Sequence, residues 1–279
     1  MLEDVLSALR GALQQSDHPE KLTEALKDID VNKINSDGIP LLHQVIDSTL
    51  SDKKELLYLL LRQRNIDVNI RESGNAGNTG LMLAILNNDV ITTEILLDTP
   101  NLNVNSQNTQ VGMTALMWAL AQNNLETIKL LLAHPEIDVN LQMKNGATAL
   151  MWSVRNNRTV ITSLLLSHPN IDVNLQSSNG NTALMATICN NFHQLTQMIL
   201  SQPAVNVNLQ NDIGETALML AVQNNNIAIS SLLMLHPDTD INLQDKDGRT
   251  ALVLAGRLNR ISLAELLLKN PGIDPNIRP

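Results

Sequence analysis

Short apolar runs alternate with polar, Asn-rich stretches along nearly the whole chain. Leu125, Ile128, Leu131 and Leu132 fall on one face of a helix, which predicts an amphipathic segment buried on one side. Pro135 follows it, and Pro169 and Pro237 follow the equivalent runs, where a proline blocks further helix. A second kind of run, such as Ala115–Leu120, begins after a Gly-x-Thr and ends at Asn. The Thr hydroxyl can cap the first helical turn and the Gly supplies the turn leading in. Asn at the far end, at Asn88, Asn123, Asn157, Asn191, Asn225 and Asn259, predicts a left-handed residue that terminates the helix. At the N-terminus, Leu2, Val5, Leu6, Leu9 and Leu13 form a further apolar stripe, and a second helix is expected from Pro19 to Asp28.

The pattern recurs at a fixed interval. Thr114, Thr148, Thr182, Thr216 and Thr250 open near-identical segments 34 residues apart, Thr79 opens an earlier copy, and Pro40 takes the Thr place in a worn one. Each copy continues into a Leu-rich run and closes on Ile-Asp-Val-Asn or a variant of it. A constant period of this size predicts a solenoid in which each helix pair buries its apolar face against its neighbours.

The segment Asn242–Leu252, the repeated Thr-Ala-Leu-Met, the Leu pair and the closing Asp-Val-Asn together resemble the ankyrin family. Ala stands in place of the family's Pro after Thr, and Met82, Met117, Met151, Met185 and Met219 in place of its His. One extra residue before the closing turn explains a period one above the family's usual 33. The resemblance implies an all-α ankyrin-repeat solenoid of stacked helix pairs with hairpin-like connections. Its expected organisation is an N-terminal helical capping repeat over 1–32 and seven repeats over 33–279, anchored at Pro40, Thr79, Thr114, Thr148, Thr182, Thr216 and Thr250. In the last pair, Leu263 and Leu267 would lack a covering helix if they faced outward, making fraying or self-association an expectation there.

Composition narrows the chemistry. The chain is 43% apolar but only 1% aromatic, so its core must be built from Leu, Ile, Val, Ala and Met. A net charge of −9 argues against nucleic acid, which needs a basic stripe. No apolar stretch reaches membrane-spanning length, and residues 1–15 do not read as a signal peptide. The single cysteine, Cys189, fits a reducing, intracellular compartment. His134, His168 and His236 share one repeat position and so lie too far apart to ligate one metal; each is expected to favour a helix C-terminus or cap its carbonyls. His43 fills the family's own His position. No nucleophile elbow, phosphate loop or Cys–His arrangement appears, so neither enzyme activity, metal nor cofactor is expected. The repeated methionines read as filling between repeats rather than a binding stripe.

The resemblance implies a protein partner on the concave face of a monomeric array. Helical spacing assigns that row to Leu83, Trp118 with Ala121 and Gln122, Trp152 with Arg155 and Asn156, Ala186 and Leu220. Trp118 and Trp152, the only tryptophans, are its expected centre, the rival reading being core rings between helices. Asn140 and Asn174, each eight residues after a Leu, resemble sites of asparaginyl hydroxylation in the family. The functional readings are a scaffold or adaptor, an inhibitor that covers an enzyme's site, and a structural spacer. Asn-rich arrays of this kind are similar to those of bacteria and protists living with eukaryotic hosts, which adds a secreted effector acting in host cytoplasm.

Overall fold

The computed structural model describes residues 30–73 and 76–278, with Ser7 and Gly11 besides. The expected N-terminal stripe and the helix over Pro19 to Asp28 lie outside the described residues. The chain divides into two compact units, Met1–Asp138 and Val139–Pro279. The first contains the helix pairs α1 (Leu41–Ile46) with α2 (Lys53–Leu61), α3 (Gly80–Leu86) with α4 (Val90–Leu97), and α5 (Ala115–Gln122) with α6 (Leu125–Ala133). The second contains α7 (Ala149–Arg155) with α8 (Thr159–Leu166), α9 (Ala183–Cys189) with α10 (His193–Leu200), α11 (Ala217–Gln223) with α12 (Ile227–Leu235), and α13 (Ala251–Arg257) with α14 (Ile261–Leu268). Within each unit first helices pack on first helices and second on second. Among the described residues there is no strand, only isolated antiparallel bridges at hairpin bases such as Gln142 with Thr148.

Helices of six to nine residues are too short to persist alone, so local stops and neighbour packing hold them. Thr79, Thr114, Thr148, Thr182, Thr216 and Thr250 each accept a hydrogen bond from the backbone N–H three residues on, at 3.2–3.5 Å. All six Asn terminators have positive φ, between 51° and 56°. The five methionines are buried and fill the space between repeats, as their recurrence predicts. Leu263 and Leu267 are also fully buried, because helical spacing turns them toward α13. The outward positions of the last pair are instead Leu258, Ile261 and Leu268, which corrects the expected edge.

The histidines stand at the ends of second helices, as one of their two expected roles requires, but do not cap carbonyls. Rather than donating to carbonyls, the Nδ1 atoms of His134, His168 and His236 accept the backbone N–H two residues on, at 3.2–3.4 Å, so each ring shapes the turn that follows.

Two side-chain ladders tie successive repeats. The Asn closing each Asp-Val-Asn turn clamps the next turn with both polar atoms of its carboxamide. Asn174 Nδ2 donates to the Ala204 carbonyl at 2.7 Å while its Oδ1 accepts from Asn206 N–H at 2.7 Å. Asn32, Asn69, Asn105, Asn140, Asn208 and Asn242 repeat that clamp. In the second unit Gln142, Gln176, Gln210 and Gln244 each donate Nε2 to a glycine carbonyl in their own hairpin and to a backbone carbonyl one repeat on. Arg71 takes the corresponding place in the first unit, bonding Gly77 and Gln107 carbonyls.

The hairpin tips themselves touch. Asn145 O accepts Ser178 N–H at 2.9 Å, and Asn179 O accepts Asp212 N–H at 3.1 Å. Gly180 sits at φ +76°, and a Cβ there would meet Asp212 N at 2.5 Å, so only glycine permits this approach.

Candidate functional site

The first helices and the hairpin tips of the second unit enclose one groove of about 280 Å³. Met151 and Arg155 of α7 form one wall, Ala186, Cys189 and Asn190 the other, and Ser177, Asn179 and Asn181 of the hairpin border it. The groove has a plain steric origin. Ala186, four places after Thr182, lines the furrow between α7 and α9, and the corresponding residue of the other copies is Leu83, Trp118, Trp152, Leu220 or Leu254. At Ala186 the side chain stops at one methyl, and space remains.

The structure distributes the expected binding residues unequally. Arg155 and Ala186 line the groove. Asn156, exposed, folds its Nδ2 back onto the Trp152 carbonyl at 2.8 Å. Trp118, Trp152 and Leu83 are half-buried, and Trp118 Nε1 is enclosed without an acceptor among the described residues. Gln122 is exposed and makes a long contact, 3.5 Å, to the Leu86 carbonyl; Ala121 beside it is exposed as well. Leu220 is buried at 9% exposure, more enclosed than the half-buried Leu83, Trp118, Trp152 and Ala186. Asn140 and Asn174 are half-buried with their carboxamides held in the clamps. Spacing along a helix could not find Ser177, Asn179 and Asn181, which belong to the hairpin, whereas Asn190 stands four places after Ala186 as Asn156 does after Trp152 and was missed although that spacing points to it.

The polar atoms of the groove are unevenly committed. Asn179 Oδ1 accepts from Ser177 Oγ at 2.7 Å and from Asn181 N–H at 3.4 Å. Asn181 Oδ1 accepts from Asn211 Nδ2 at 3.3 Å, and Asn190 Nδ2 donates to the Ala186 carbonyl at 2.8 Å. The oxygens of Asn179 and Asn181 are thus engaged within the fold, Asn190 Oδ1 is not among the described residues, and the Nδ2 groups of Asn179 and Asn181 keep their hydrogens for a ligand. Cys189 is exposed, and burial of its sulfur together with the nearby negative Glu215 pushes its thiol pKa up. That disfavours the thiolate, the form in which cysteine acts as a nucleophile. Glu215 itself is buried and engaged by Asn211 Nδ2 and Gln223 Nε2.

Elsewhere the charged groups serve the fold. Burial disfavours the charged form of Asp89, but hydrogen bonds from Lys53 and from Thr92 outweigh it and hold the carboxyl below its ordinary range. Asp89 thereby caps α4 and joins it to α2. Among the described residues no helix is long and apolar enough to cross a membrane, and no group of His, Cys, Asp and Glu could hold a metal ion.

The fold and sequence agree with known arrays. A model of ankyrin repeats (3 copies) matches residues 42–143, 135–211 and 187–279. The chain is similar to the crystal structure of the ankyrin repeat protein EF0377, with 26% identity and a TM-score of 0.60, over 68% of this chain and 96% of that one. It is equally similar to an ankyrin repeat domain from Acinetobacter baumannii AYE, with 26% identity and a TM-score of 0.59, over 67% and 95%. The ankyrin repeat domain of Bcl-3, a member of the IkappaB protein family, shares the fold at 23% identity and a TM-score of 0.66, over 82% and 96%. No curated protein matches the sequence. With repeat matches running from residue 42 to residue 279 and the caps, terminators and nested hairpins in place, the chain belongs to the ankyrin-repeat family.

Proposed function

We propose that this protein is an interaction module, a scaffold or adaptor that recognises a partner protein on the face formed by its first helices and hairpin tips. Ankyrin repeats generally mediate protein–protein interaction, and the observation that supports the reading for this chain is the groove beside Ala186. It opens at a position that carries Leu or Trp in the other repeats, and it lies where two repeats and a hairpin contribute side chains to one surface. The neighbouring positions Trp152, Arg155 and Asn156 extend that surface, and Trp118, Gln122 and Leu83 are its counterpart in the first unit. The array acts as a monomer in this reading, with no cofactor.

Affinity capture with wild-type protein and with Ala186→Leu tests the assignment. Leu already occupies this position in other repeats, so the variant should fold and melt as wild type while losing the partners that use the groove. Retention of every partner by a folded Ala186→Leu, Arg155→Ala double variant would remove the face from consideration. Assay of captured enzymes with and without the array separates scaffolding from inhibition, and light scattering across protein concentration tests the spacer reading. The effector reading rests on the Asn-rich repeats alone, and a translocation reporter fused to the chain tests it.

A further inference from the structure

We propose that the groove of the second unit receives a carboxylate side chain, Asp or Glu, from an extended peptide segment of the partner, with Arg155 as the residue that selects it. This rests on the interaction reading above and adds the chemistry of the occupant.

Three observations converge. First, Arg155 is exposed on the groove wall, and among the described residues no hydrogen bond or ion pair engages its guanidinium. No carboxylate lines the groove, and the nearest acid acting on its far wall, Glu215, is already bonded to Asn211 and Gln223.

Second, the groove offers uncommitted donors. The Arg155 fork and the Nδ2 groups of Asn179 and Asn181 remain available, while the oxygens of those two Asn accept bonds within the fold and Asn190 Oδ1 alone of the lining carboxamide oxygens accepts none among the described residues. These donors favour a ligand that brings acceptor oxygens, and a carboxylate brings two in the geometry a guanidinium matches. One guanidinium balances one carboxylate. A phosphate dianion would leave charge uncompensated, since Arg155 is the only charged residue lining the site.

Third, the space is small. A volume of about 280 Å³ falls below the ~300–1,000 Å³ of small-molecule sites. Met151 and Ala186 on its two walls give apolar surface for the methylenes of a Glu or Asp side chain, and the carboxamides of Asn179 and Asn181 border it from the hairpin. Arg257 occupies the equivalent helix position three repeats along, outside this groove, and so reports the effect of positive charge elsewhere on the array.

The test uses fluorescently labelled full-length protein on an array of nine-residue peptides, N-acetylated and C-amidated, each fixing one residue at one position in a random background. Fixed Asp or Glu should retain roughly tenfold more protein than Asn or Gln at one or two positions, the size expected of a paired charge. Arg155→Gln and Asn179→Asp should abolish that preference, Ala186→Leu should abolish retention, and Arg257→Gln should change it by less than about threefold, as a screened distant charge. Circular dichroism melting confirms that each variant is folded. No acid preference, or a preference unchanged by Arg155→Gln, overturns the proposal. Fixed phosphoserine outranking Glu would overturn it in favour of a phosphopeptide site. Retention lost in Ala186→Leu but indifferent to acidic residues would overturn the carboxylate while leaving the interaction face standing. Absence of any retained peptide would overturn the carboxylate pocket, and partner capture unaffected by Ala186→Leu would overturn the face as well.

Discussion

The first helix pair and those of the second unit perform the same task with different chemistry. In the second unit every first helix begins at a Thr whose hydroxyl caps it, and three of the four carry a buried Met at the third helical position. In α1 Pro40 offers no cap, the helix is only six residues long, and His43 stands in the Met place. His43 compensates by bonding through Nε2 to the Ile70 carbonyl of the following hairpin at 3.1 Å. An apolar contact between repeats has become a polar one, and with it the first repeat has become sensitive to protons. The repeat thus tolerates loss of a cap or of an apolar contact when another bond to the neighbour replaces it, but it shows no such substitution at the hairpin glycines.

That contrast can be broken most forcefully at the glycines. Gly180→Val should cost about 3 kcal/mol or more in chemical denaturation, because a β-branched residue at positive φ would also press its Cβ on the Asp212 backbone. Gly38→Ala should cost less, since the nearest atom there is a Ser73 side-chain carbon. At the next level, Asn225→Val should lose roughly 1–2 kcal/mol through the left-handed conformation, while Asn225→Gly should be neutral or stabilising. Exchanging caps sharpens the comparison further: Thr182→Ala should cost about 1 kcal/mol and Pro40→Thr should regain a similar amount, both read from urea midpoints.

The proton dependence belongs to the first unit. Burial lowers the His43 pKa against the raising effects of the Ile70 bond and of Glu72. A histidine depressed in the folded state stabilises the fold above its ordinary value of 6.5 and loses that contribution as pH falls from there toward its folded value. Melting temperature should therefore decline between pH 7.5 and pH 5.5, and His43→Met should flatten the decline without altering the second unit. The smallest effect concerns the hydroxyl pairs inside the second unit. Ser153 faces Thr162, and Thr187 faces Thr196, each at 2.9 Å, but Ala221 stands opposite Ser230 and leaves its buried Oγ without a partner. Ser230→Ala should raise stability by about 1 kcal/mol, and Ala221→Ser should do so by completing the pair.

Caps, terminators and buried methionines were legible in the sequence because each follows from local backbone chemistry repeated at a fixed spacing. The groove was not, since it is a missing volume. Its cause, Ala186 in a position that is otherwise Leu or Trp, becomes meaningful only once that position is known to enter the furrow. Leu220 was grouped by helical spacing with Leu83, Trp118, Trp152 and Ala186, which are half-buried, yet it is itself buried. The Gln ladder had a visible signal in Gln142, Gln176, Gln210 and Gln244, each 34 residues after the last, but polar residues at surface-like positions read as solvation until their carbonyl partners are located.

The Asn clamp has a consequence for how such a molecule can change length. The clamping residues Asn32, Asn69, Asn105 and Asn140 are separated by 37, 36 and 35 residues, then by 34 through Asn174, Asn208 and Asn242. Each nevertheless holds the next turn by the same two bonds. The extra residues fall between α1 and α2 and in the hairpin tips before Thr79 and Thr114. A carboxamide of fixed reach therefore acts as a ruler, setting the pitch of successive turns independently of how much chain lies between them. Insertions are diverted into the loops, so the recognition edge can be lengthened one residue at a time while the stack keeps its register.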